Sequence, residues 1–132
     1  TFGKTTLMVL DANINEFNKI KEKVLSLGLD KSIALKVCLV IEEYFANICA
    51  FGYPDGVTKD DKIILEISTS NKVEIRIIDT GVSVKRAENL DSGNLDFDKL
   101  SPELGQFIAS SHTNFVKYKQ EDGKNILTIT II

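Results

Sequence analysis

The chain has 132 residues, 43% hydrophobic and 27% charged, enough apolar material for one core without metals or disulfides and no composition typical of disorder. Its net charge of -3 offers no basic field for a phosphate backbone, which excludes nucleic acid as an expected partner. The apolar runs are broken at Lys36 and stop at Glu42 and Glu43, far short of the roughly 20 residues of a membrane span, and residues 1–6 lack the order of a signal peptide, so a cytoplasmic protein is expected.

Residues 5–10 have the β-branched and apolar content of a strand. Asn13 with Glu16 forms a capping box, and Ile14, Phe17, Ile20, Val24 and Leu27 then step by three or four, predicting a core-facing helix that Gly28 stops. Asp30 or Ser32 caps a second helix to about Phe51, ended by Gly52 and Pro54. It is apolar nearly all round until Glu42, as a helix buried mid-domain would be. Cys38 and Cys49 stand about 16 Å apart along this helix, too far to bridge, and read as buried free thiols.

Residues 63–68 and 73–79 alternate as an antiparallel hairpin. Periodicity disappears over about 82–102, a length that a compact domain tolerates mainly as a functional lid. A short helix over 104–111 and strands over 115–120 and 126–132 complete one layered α+β domain spanning 1–132, its helices on one face of the sheet.

Three features of this order carry chemistry. Glu43 and Asn47, four apart on one helix face, bring a carboxylate that can accept a hydroxyl proton beside an amide oxygen suited to Mg²⁺. Asp79-Thr80-Gly81 follows a strand, where the carboxylate can accept from a purine amino group and glycine admits the backbone to the ring. Gly105 opens a helix, and a helix N-terminus beside glycine can bind phosphate. Taken singly, the first two have plain alternatives: a solvated helix end and an ordinary turn.

Taken together, Ile41-Glu42-Glu43-Tyr44-Phe45-Ala46-Asn47, Asp79-Thr80-Gly81, Leu104-Gly105 and Gly123-Lys124-Asn125-Ile126-Leu127-Thr128 resemble the GHKL ATPase superfamily, specifically its anti-sigma-factor serine kinase branch. The resemblance implies a two-layer sandwich, helices over a mixed, mainly antiparallel sheet, with ATP beneath the lid. It implies Glu43 as catalytic base, Asn47 as Mg²⁺ ligand, Asp79 as adenine contact, Gly81 and Gly105 in the nucleotide pocket, and Thr128 reaching toward the adenine and Asp79. By the same resemblance the partners are a sigma factor, a small STAS-type anti-anti-sigma protein phosphorylated on serine or threonine, and a second copy of the chain.

The chain departs from the family pattern at the phosphate end. Pro102 and Glu103 stand where glycines are usual, removing an N–H donor and adding a negative charge, which motivates the alternative of a non-catalytic protein-binding switch with weak or no ATP binding. Phe51 replaces a customary histidine and Asn114 a customary acidic residue; Lys85 and Arg86 read as solubilising charges, and His112 as a surface or capping residue.

Overall fold

The computed structural model describes residues 3–82 and 115–131. The expected lid beyond Val82, the helix over 104–111, and Lys85, Arg86, Pro102, Glu103, Gly105, His112 and Asn114 lie outside the described residues. In chain order the elements are β1 (Lys4–Asp11), a 3-10 turn (Ile14–Glu16), α1 (Phe17–Leu25), α2 (Lys31–Phe51), β2 (Lys62–Thr69), β3 (Val73–Asp79), β4 (Phe115–Glu121) and β5 (Lys124–Ile131).

Strict alternation makes the sheet two-faced. Ile63, Leu65 and Ile67 of β2, Val73, Ile75 and Ile77 of β3, and Leu127, Ile129 and Ile131 of β5 are buried in one cluster with Ile20 and Val24 of α1 and Val37, Val40, Ile41, Tyr44, Phe45 and Ile48 of α2. The other face stays open, with Leu7, Val9 and Phe115 exposed. The strand order is β1-β2-β3-β5-β4, and the sheet, expected as mixed and mainly antiparallel, is antiparallel at every described pairing.

Local chemistry sets the element ends. Asn13 does cap, its Oδ1 accepting from the Asn15 N–H at 2.9 Å, but what it caps is the 3-10 turn, and α1 proper begins at Phe17. Gly28, with φ 73°, follows α1 in the left-handed conformation that favours glycine. Asp122 and Gly123, with φ 53° and 75°, join β4 to β5 in a two-residue turn with both φ positive, whose twist matches the flanking strands. That tight turn starts β5 at Lys124 rather than at Ile126 and brings Asn125 into the sheet.

Candidate functional site

Asp79 is the last residue of β3 and shares its parity with the core residues Val73, Ile75 and Ile77, so the strand carries its carboxylate onto the helix-covered face. It is only 3% exposed. A buried carboxylate needs donors. Its Oδ1 accepts from the Gly81 N–H at 2.9 Å and from Asn125 Nδ2 at 2.8 Å.

The end of α2 docks onto this strand end through backbone. Val82 N–H donates to the Gly52 carbonyl at 2.7 Å. A Cβ on Gly81 would stand 2.9 Å from the carbonyl carbon of Gly52 and closer still to its oxygen, so glycine is what permits the approach. Tyr53 and Asp61 secure the neighbouring residue: Thr80 N–H donates to the Tyr53 hydroxyl at 3.4 Å, and Thr80 Oγ1 donates to Asp61 Oδ1 at 3.4 Å. The Thr58 backbone N–H, 2.8 Å from Asp61, is the main cause that lowers the Asp61 carboxyl below its ordinary value.

This docking fixes where α2 presents its polar pair. Asn47 lies five residues before Gly52, about 7.5 Å of helix axis, and is 7% exposed. Glu43 is one turn further back and half-buried; burial raises its carboxyl above the ordinary glutamate value, and the charge of exposed Glu42 adds to the rise. A proton acceptor with a raised value works closer to neutral pH, as a general base requires.

Thr128, expected to reach toward Asp79, stands on the opposite face of the sheet. The register pairs it with Arg76, and it lines an open concavity of about 660 Å³ with Lys72, Glu74, Arg76 and Lys117. Asn125 occupies the place instead: it is directly opposite Asp79 in the register, 3% exposed, and donates to both Asp79 Oδ1 and the Gly81 carbonyl, the latter at 2.7 Å. Its own Oδ1 accepts from the Tyr118 hydroxyl at 2.8 Å and Gln120 Nε2 at 3.0 Å. One signal in the sequence marks it: Asn125 is in phase with Leu127, Ile129 and Ile131, so its side chain belongs to the core face.

Cys38 is buried and Cys49 partly so, and both are free. Burial pushes the Cys49 thiol up to about 11, leaving it protonated and inert at neutral pH. Among the described residues no group of three or more His, Cys, Asp or Glu could hold a metal ion. No helix of the described residues is long and apolar enough to cross a membrane.

Helices over one face of an antiparallel sheet are the architecture of an ATPase domain of the histidine kinase type. The chain belongs to that family: residues 9–131 match the histidine kinase-like ATPase domain. Among solved structures it is similar to the RsbU and RsbW domains of Rv1364c from Mycobacterium tuberculosis, with a TM-score of 0.66 and 19% identity. That match covers 97% of this chain and 32% of the other, so the chain spans about a third of that protein's length, and the likeness is one of fold. No curated protein sequence matches the chain.

Proposed function

We propose that residues 1–132 form one ATP-binding regulatory domain that acts as a serine/threonine protein kinase of the anti-sigma type, in the cytoplasm and as a homodimer. The observation that carries the reading is the burial of polar Asn47 on α2 and Asp79 at the end of β3, two elements joined by the backbone contact of Gly52 with Gly81 and Val82. Neither residue helps a hydrophobic core, so their burial calls for a polar ligand or network.

The described residues fit ATP at its base end. Asp79, held as an acceptor on Oδ1 by two donors, suits a purine amino group, and Gly81 keeps the adjoining backbone free of a side chain. Asn47 would hold Mg²⁺ through its amide oxygen, and the ion, when bound, would neutralise charge on the phosphates. The family resemblance assigns Gly105 and the lid over 82–102 to the phosphate end. In transfer, a serine or threonine hydroxyl of the protein substrate attacks the γ-phosphorus. The new O–P bond forms, the bond to the ADP oxygen breaks, and the hydroxyl proton passes to the Glu43 carboxylate. The resemblance supports a STAS-type anti-anti-sigma protein as that substrate and a sigma factor as the second partner.

A ligand bound only by the folded state stabilises it by mass action, about 2.7 kcal/mol at a hundred times its Kd. Mg-ATP is therefore expected to raise the melting temperature, and Asn47→Ala to abolish the rise. No rise in the parent chain would defeat the reading. The second reading, a binding switch without catalysis, is motivated by Pro102 and Glu103; stabilisation by Mg-ATP with no phosphate transfer to any anti-anti-sigma protein would favour it.

A further inference from the structure

The Asn125 side chain has two N–H donors and one carbonyl oxygen with two lone pairs, and all four are committed. Nδ2 donates to Asp79 Oδ1 at 2.8 Å and to the Gly81 carbonyl at 2.7 Å; Oδ1 accepts from Tyr118 at 2.8 Å and Gln120 at 3.0 Å. Only one orientation of the amide satisfies this set. Flipped, its oxygen would face the Asp79 and Gly81 acceptors, and its nitrogen would face the Gln120 donor. With its capacity spent, Asn125 has no hydrogen bond left to offer a nucleobase.

We infer that Asn125, pinned from behind by Tyr118 and Gln120 of β4, is a positioning residue that sets base selectivity by holding the Asp79 carboxylate in place as an acceptor. The inference rests on the reading of Asp79 as the purine contact. A fixed acceptor admits a base that presents an amino group at the matching edge and repels one that presents a carbonyl there, so the site discriminates adenine from hypoxanthine. Tyr118 and Gln120 act through Asn125, and the edge strand thereby becomes part of the base selectivity of the site.

The test is a calorimetric titration of the whole chain with Mg-ATP and with Mg-ITP, which replaces the 6-amino group by a carbonyl. The parent chain is expected to prefer ATP by about tenfold or more. Tyr118→Phe, which removes one of the two bonds that pin the amide, should weaken ATP about threefold and leave ITP unchanged. Asn125→Ala should weaken ATP about tenfold and bring the two affinities together, since Asp79 then loses one of the donors that orient its carboxylate. Equal weakening of both nucleotides, or an unmoved ATP-to-ITP ratio in both variants, would show that the network only supports the fold and would overturn the inference while leaving the ATP site standing. If Asn125→Ala fails to fold, the Tyr118→Phe ratio decides. A parent chain that binds no ATP would remove the reading of the site and the inference with it.

Discussion

The two faces of the sheet carry polar residues three positions apart on the same strands, yet to different effect. On the outer face Arg76 Nη1 meets Glu66 Oε2 at 2.9 Å with the side chains 39% and 28% exposed, beside Thr128 and Lys117. On the helix-covered face Asp79 and Asn125 meet at 2.8 Å, each 3% exposed. Water screens and competes with the first pair, so its geometry constrains little. The second pair has no such competitor, so a hydrogen bond lost there is not replaced by water. Burial, rather than polarity, is what marks the candidate site at the end of the strands.

If that contrast is right, damage at the covered end should be large and specific. Glu43→Gln is expected to reduce phosphate transfer by about 10² to 10⁴-fold while Mg-ATP still stabilises the chain, measured by radiolabel transfer and thermal melting. The same substitution has a stability signature of known sign. The folded carboxyl is raised above its unfolded value, so its contribution is fully present below the unfolded value and is lost as pH rises through the folded one. Glutamine does not titrate, so the variant should lose that part of the pH dependence and be at least as stable as the parent at neutral pH. Gly81→Ala ranks next. Its Cβ would overlap the Gly52 carbonyl, forcing the end of α2 away from β3, and a cost of about 1–3 kcal/mol is expected in urea denaturation. A neutral result would mean that the α2 to β3 contact does not set the site.

The same contrast explains what the sequence made legible. Strands and helices were readable because alternation and the three-to-four spacing are imposed by burial on one face, and β2, β3 and α2 lie within a residue or so of their expected places. Glu43 and Asn47 stand out because they interrupt an apolar helix, and Asp79 because Asp79-Thr80-Gly81 follows a strand. Thr128 was misplaced because a motif match carries no parity: counted from Leu127 and Ile129 it falls on the outer face, and the same count puts Asn125 inside. The Gly52 to Gly81 contact was beyond reach, since it joins two segments through backbone atoms and leaves no side-chain pattern. The 3-10 start of the first helix was hidden because Ile14 and Phe17 keep the same apolar spacing in either helix type.

The smallest expected effect is also the sharpest control. Arg76→Ala removes an ion pair whose members remain in contact with water, so a loss below about 1 kcal/mol is expected, shrinking further in high salt. Mg-ATP stabilisation should be unchanged, because Arg76 and Thr128 point away from the helix-covered face on which Asp79 lies. A marked fall in nucleotide stabilisation would break the comparison, for it would mean that the outer-face row of Glu66, Arg76 and Thr128 is coupled to the base pocket through the sheet. The strands are one residue thick, so such coupling would have to pass through a shift of β3 itself, and Gly81→Ala combined with Arg76→Ala would then deviate from additivity by more than the few tenths of a kcal/mol normal for independent sites.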